Sequence, residues 1–485
     1  MKKTRLLGAL LALCLSLGLL PMAALAAPAS LTGTWEGYYY ANQGQTGLTL
    51  TLNDDGTGVF EFYNMPGRSN AKNGSYTVRV DYDGDTIVIP GVEWIDRPSG
   101  YGFVTLYGTL SGDELTGNVD RNGSWPLYLV RDNAARQELD KTVFDGHKYE
   151  RVDQGMTWTQ AKAYCERQGG YLACVNSRAE QEYLQGLIAG GTKNMYWIGA
   201  YRTDYGFRWL DGSELTYANW DAGEPNNYQG DEAYAEMYRL PSPFNDQGRA
   251  GAWNDAPDDN AHDDSEFFLL GNVGFLCEWD AYSESSQWAT PELQEAAEKG
   301  LIPDSLVGED MTRPITRGEF AAVVVKLYEQ LNSTRTVMSG EAKFKDIASD
   351  VNRNEILKAY NISAVRGVSE TEYAPGVQLN REQMATMLCR VIKRSTWPEW
   401  TVEADGQDKY RLDLTGATYF ADNDQISDYA RESVYYMAKT GIILGKGDNR
   451  FAPRNATSQQ EAEGYANATR EQAVAISLRI YNQNK

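Results

Sequence analysis

Over residues 31–133 apolar and polar side chains alternate with a period of two, interrupted at short intervals by Gly, Asp and Asn. The stretches GTWEGYYYA (33–41), TGLTLTLNDDG (46–56), TGVFEFYN (57–64), GSYTVRVDYDGD (74–85), TIVIPGVEWI (86–95), FVTLYGTLSGD (103–113) and WPLYLVRDN (125–133) therefore predict short antiparallel strands, each with one buried face. Asp55-Gly56 and Asp83-Gly84 mark hairpin turns. An all-β barrel or sandwich is expected. Its strand aromatics fill a core more often than they stack on sugars, so no function follows from them.

The period then changes. MTWTQAKAYCERQGG (156–170) sets Trp158, Ala161 and Cys165 on one helical face. SRAEQEYLQGLIAGG (177–191) opens with Ser177 three residues before Glu180, the spacing of a capping box, and stacks Leu184, Leu187 and Ile188 on one face. After MYWIGAYR (195–202) roughly sixty residues are rich in Asn, Asp and Gly, a length that a compact domain tolerates only when something pins it.

From 288 onward the chain repeats one plan of helix, glycine-containing turn and helix. Gly367 and Gly445 each lie six residues before an aromatic-Ala-Pro, and FKDI at 344 and FADN at 420 open those copies. ITRGE (315–319), LNREQ (379–383) and ATREQ (468–472) place Thr316, Asn380 and Thr469 three residues before Glu319, Gln383 and Gln472, so each predicts a capped helix start. Capping does not require the Arg at the next position, beside a positive helix end. Arg317, Arg381 and Arg470 stand where backbone N–H groups already favour an anion.

The first 27 residues have a basic start, an apolar run and a small-residue end, and predict a cleaved secretory leader. No later run is long and apolar enough to span a membrane, so a transmembrane segment is not expected. With 45 Lys+Arg against 67 Asp+Glu the net charge is −22, three of the bases lying in the leader. Such acidity argues against a nucleic-acid partner and suits cations. His147 and His262 are the only histidines, too few for His-rich zinc sites or most Ser-His-acid schemes. Cys165, Cys174, Cys277 and Cys389 remain after the leader, with no CxxC, and spacing alone does not set their pairing.

The loop WDAGEPNNYQGDE (220–232) concentrates oxygen donors, and AWNDAP (252–257) adds more. Calcium takes six to eight hard oxygens, and a protein supplying fewer leaves room for a ligand's hydroxyls. The order W..A...C...GGYLA, YWIGA, EPNN, WND, FLCEWD over 144–280 resembles a C-type lectin-like domain. On that resemblance Glu224, Asn226, Glu232, Asn254 and Asp255 are both the Ca2+ ligands and the carbohydrate-binding residues. EPN implies a mannose-type preference, Pro225 is cis, and Cys165–Cys277 is the disulfide, leaving Cys174 and Cys389 as buried thiols. Tyr234 and Asp258 stand where many members have a second disulfide, which leaves the loop more dependent on calcium.

The three C-terminal copies resemble surface-layer homology (SLH) repeats, which dock exported proteins on pyruvylated wall polysaccharide through the Arg of a T-R-A-E motif. The wall-polysaccharide residues are then Arg317, Arg381 and Arg470. Gly318, Glu382 or Glu471 replaces the Ala, a mild change, and the third copy carries about eleven extra residues before Arg470.

The expected organisation is a leader (1–27), a β-barrel-like domain of unknown role (28–135), an α+β C-type lectin-like domain (140–281), a linker (282–287) and an all-α array (288–485) with repeats at about 288–332, 343–395 and 418–482. The expected function is that of a secreted, wall-anchored, non-enzymatic adhesin with a glycan or glycoprotein ligand. Two alternatives stay open: a protein-binding adhesin on the lectin fold with structural or no calcium, and a wall-active enzyme with a binding module.

Overall fold

The computed structural model describes residues 31–485 apart from 66–67, 141, 211, 246, 261–264, 339 and 341, so the expected leader and His262 lie outside the described residues. Two compact units divide the chain, one ending at Asp132 and the other starting at Asn133.

The first unit contains β1 (Gly33–Ala41), β2 (Gly44–Leu52), β3 (Thr57–Tyr63), β4 (Gly74–Arg79), β5 (Asp81–Asp83), β6 (Thr86–Ile89), β7 (Gly91–Asp96), β8 (Leu106–Ser111), β9 (Glu114–Asn118) and β10 (Pro126–Arg131). They form one antiparallel sheet in the order β5-β6-β8-β9-β10-β1-β2-β3-β4-β7, rather than two stacked sheets. β4 runs into β5 through Val80, and β6 into β7 through Pro90, so opposite margins of the sheet share continuous chain and the sheet curls on itself. Alternate residues such as Leu48, Leu50 and Leu52 point inward and meet Trp35, Phe60, Tyr76 and Leu129. The two Asp-Gly hairpins form, with Gly56 and Gly84 at φ of 80° and 61°, where a Cβ is disfavoured.

The second unit begins with α1 (Ala134–Asp140), β11 (Val143–Phe144), β12 (His147–Val152), α2 (Trp158–Arg167), β13 (Tyr171–Leu172) and α3 (Arg178–Ala189). β14 (Met195–Thr203), β15 (Gly206–Trp209), β16 (Tyr234–Tyr238), β17 (Trp253–Ala256) and β18 (Val273–Trp279) follow. The sheet order is β11-β12-β18-β14-β16-β17, with β13 on β18 and β15 on β14; only β14 and β18 run parallel. Cys165 of α2 is bonded to Cys277 of β18, while Cys174 and Cys389 are buried and outside any disulfide.

The long polar segment is pinned by aromatics. Trp253 meets Trp209, Tyr217 and Trp220 edge-to-face at centroid distances of 5.5, 5.9 and 5.6 Å, and its Nε1 donates to Gln181 Oε1 at 2.8 Å. In place of a second disulfide, Tyr234 stacks on Trp158 at 4.2 Å, and Asp258 accepts the Thr159 N–H at 2.8 Å at the start of α2. One expectation is corrected here. Ser177 caps Glu180 N, but the buried Glu180 carboxylate accepts from Asn176 N and Tyr149 Oη instead of closing a capping box.

The remainder is helical: α4 (Thr290–Glu298), α5 (Arg317–Asn332), α6 (Arg353–Asn361), α7 (Arg381–Thr396), α8 (Arg431–Lys439), α9 (Ser458–Ala462) and α10 (Arg470–Asn484). Full capping boxes start α5 and α7; at α10 Thr469 caps Gln472 N. The three starts meet head to head. Ile315 N donates to Ala468 O (2.9 Å), Ala468 N to Leu379 O (2.9 Å) and Leu379 N to Ile315 O (3.1 Å), a closed triangle of backbone hydrogen bonds. Helix α9 occupies the extra residues of the third copy.

The disulfide spans a separation of 112 residues. Replacing both Cys165 and Cys277 by Ala is expected to lower unfolding free energy by about 2–5 kcal/mol. Denaturant titration without reductant checks this, and an unchanged midpoint would refute it.

Candidate functional site

The turn after Trp220 carries Glu224, a cis Glu224–Pro225 bond and Asn226, then a 3₁₀ turn at 228–230. Asn227 and Gln229 adopt left-handed φ of 51° and 57°, backbone strain of a kind that collects at ligand sites. Facing this turn is Asp255 on β17, fully buried. Its Oδ1 accepts Asn226 N and its Oδ2 accepts Asn227 N, both at 3.0 Å, and Oδ2 also accepts a guanidinium N–H from Arg202 of β14. Glu224 Oε2 accepts Asn226 N and its Oε1 accepts Asn226 Nδ2, each at 3.1 Å. Glu232 is buried, and its backbone carbonyl accepts Arg202 Nε at 2.8 Å. Asn254 Nδ2 donates at 3.1 Å to Glu236, which is fully buried on β16 with its other oxygen unpartnered.

Glu224, Asn226, Glu232 and Asp255 meet at this turn, while Asn254, beside Asp255 on β17, turns its amide to Glu236. Burial, and then the Asp255 charge, push Glu224 up to about 7. Burial outweighs the Tyr228 amide at Glu232 and, with Asp255 and Glu224 nearby, pushes it up to about 8. Glu236 is pushed up to about 8 by burial, with Glu232, Asp255 and Glu224 adding to it. Among the described residues no three His, Cys, Asp or Glu side chains stand as a ready-made metal cage. The donors are nonetheless all oxygens, and their mutual repulsion is what a hard cation relieves. Sequence reasoning missed Arg202 and Glu236. Glu236 left a signal, a carboxylate at an inward strand position between Tyr234 and Tyr238.

The three arginines of the helical region open α5, α7 and α10 but do different work. Arg317 and Arg381 are buried. Their Nε atoms donate to Tyr373 O and Phe451 O at 2.9 Å, and their Nη2 atoms to Arg366 O and Leu444 O at 2.9 Å. Each guanidinium lies over the matching ring, at 4.6 Å for Tyr373 and 5.1 Å for Phe451. Neither forms an ion pair among the described residues, and burial brings Arg381 down to about 10. Arg470 instead pairs with Glu319 at 2.5 Å and Glu309 at 3.3 Å. Arg390 on α7, also unnoticed in the sequence, is held below the usual guanidinium value by burial and by the charges of Arg366 and Arg317. In two copies the residue that replaces the motif Ala makes hydrogen bonds of its own. The Glu382 carboxylate accepts Ser427 N and Oγ, and that of Glu471 accepts Ser286 N and Oγ, while Asp350 oxygens lie 3.1 and 3.3 Å from where a Gly318 Cβ would sit.

The raised carboxyls set a pH dependence. Folding tightens proton binding at Glu224, Glu232 and Glu236 relative to the ordinary value of 4.5, so their contribution to stability is complete below that value and is lost as pH rises through 7 to 8. In EDTA, the thermal midpoint of the lectin-like region should fall between about pH 5 and about pH 8. Calorimetry of the full chain reads it; a flat or rising profile would contradict the electrostatics.

Residues 154–263 match the family model of the lectin C-type domain, and residues 419–463 match that of the S-layer homology domain. Mouse C-type lectin domain family 4 member G (Mus musculus) is 31% identical over 140 residues, 28% of this chain and 40% of that protein. Amylopullulanase of Thermoanaerobacterium thermosulfurigenes is 30% identical over 177 residues, 36% of this chain and 8% of the enzyme. The chain thus spans less than half the length of either relative. The cow C-type carbohydrate-recognition domain of CD23, solved in the presence of a GlcNAc2Man3 oligosaccharide, is 28% identical; the match covers 28% of this chain and 91% of that one, with a TM-score of 0.23. Residues 154–263 thus form a C-type lectin domain, followed by S-layer homology sequence at 419–463.

Proposed function

We propose that this protein is a wall-anchored, non-enzymatic adhesin that binds mannose-type glycans through calcium at Glu224, Asn226, Glu232, Asn254 and Asp255. The observation that carries the reading is a charge count. Four carboxylates, those of Glu224, Glu232, Glu236 and Asp255, crowd one region and Arg202 pairs with only one of them, an excess of acid that a divalent cation relieves. When bound, calcium supplies coordination positions that vicinal sugar hydroxyls fill. Around it, the Glu224 and Glu232 carboxylates accept hydroxyl protons, and the second N–H of each of the Asn226 and Asn254 amides donates to hydroxyl oxygens.

The helical region holds wall polysaccharide through its acidic groups, at Arg317 and Arg381. These are desolvated cations without a paired carboxylate, and each keeps N–H donors not spent on carbonyls. Arg390 adds positive charge beside Arg317, whereas Arg366 is paired with Glu403. Arg470 is already neutralised and acts as a brace between the first and third copies.

Glu224→Gln and Asn254→Asp are each expected to weaken mannose binding in calcium by about tenfold or more, the first also shifting sugar preference. Titration calorimetry reads both changes. Undiminished sugar affinity in both variants refutes the site, and glycoprotein binding that survives EDTA and mannose favours the protein-binding alternative. Product formation on wall glycans by the full chain would favour the enzyme alternative. For the anchor, Arg381→Ala should cut sedimentation with purified pyruvylated polysaccharide by about tenfold. Arg470→Ala should leave that binding in place and lower the thermal midpoint. Equal losses in both would count against the assignment of roles.

A further inference from the structure

Among the described residues Arg202 is the cation paired with an acid of this turn, and its fork reaches two chain segments at once. Nε holds the carbonyl of Glu232 at 2.8 Å, and Nη2 holds the Asp255 carboxylate. The backbone N–H of the same residue donates to Ala233 O at 2.7 Å, and Phe207 lies 4.7 Å from the guanidinium on its flank. Asp255 in turn takes the N–H groups of Asn226 and Asn227, so the turn, the strand behind it and the segment that leaves it are joined through one ion pair. Without the guanidinium, a fully buried carboxylate would keep two amide donors and no countercharge, an arrangement that costs far more than an exposed unpaired acid.

We propose that Arg202 is a positioning residue, a resident cation that holds residues 224–232 in their binding-ready form before any calcium arrives. Calcium then meets an assembled turn and supplies ligand contacts, not the folding of the loop. This rests on the reading of that turn as the calcium and glycan site. It reverses the expectation that a loop without its second disulfide leans on the metal for its order.

Hydrogen exchange of the full chain, with EDTA and then with calcium alone, tests the proposal through the amides of Asn226 and Asn227. In EDTA the wild-type amides should be protected, and Arg202→Met should speed their exchange by about tenfold or more, with β14 and β18 amides unchanged and calcium restoring most of the protection. Arg202→Gln serves the same purpose if the Met variant also loses protection in β14 and β18. The proposal is overturned if the variant amides exchange at the wild-type rate in EDTA, or if wild-type amides become protected only on adding calcium. A third outcome separates it from the functional reading: calcium that neither binds by calorimetry nor alters any rate removes the calcium site, while the EDTA comparison still upholds the clamp.

Discussion

A carboxylate with no exposed surface, Asp255, organises the turn at 224–232 of the lectin domain. A charge so placed must be matched by donors, and the matching determines the local architecture. Two amides come from the turn 226–227 and one guanidinium from β14, so three separated pieces of chain converge because one buried anion requires them. The rigid supports lie behind it. The tryptophans around Trp253 fix β17, and the Cys165–Cys277 bond fixes the helix and strand on the far side. A site built this way keeps its donors oriented on a firm sheet while the turn itself carries the strained backbone.

The helical region solves a different problem. Three short helical hairpins have little core each, and closure through Ile315, Leu379 and Ala468 lets them share one. The arginine beside each helix start, poorly placed for the helix dipole, finds its partners outside the helix. In two copies it spans the glycine turn of the next copy; in the third it pairs with acids of the first. One sequence position thus braces the glycine turn of the next copy in two places and closes the array through an ion pair in the third.

How much of this was legible follows from distance along the chain. Cap signals three residues apart at Thr316, Asn380 and Thr469, the hairpin Asp-Gly pairs and the alternation of Leu48, Leu50 and Leu52 are local, and they appear as expected. The proposed donor set around EPNN and WND could be named from the sequence because the motif carries its own spacing. Arg202 was not, since it reads as the end of an apolar strand and its partner lies 53 positions away. The single curled sheet and the closed triangle of helix starts are likewise products of long-range pairing that no window of residues contains. At Ser177 the local signal misled, because the Tyr149 hydroxyl and the Asn176 amide claim the Glu180 side chain.

The clasp between the two ends of the helical region bears on how it unfolds. Helix α10 grips α4 through a two-pronged Arg479–Glu292 pair at 2.7 and 2.8 Å, so the last helix of the chain holds the first one after the lectin domain. Opening the array requires this ion pair and the backbone triangle to break together, so the three copies are expected to unfold as one cooperative unit and not one after another.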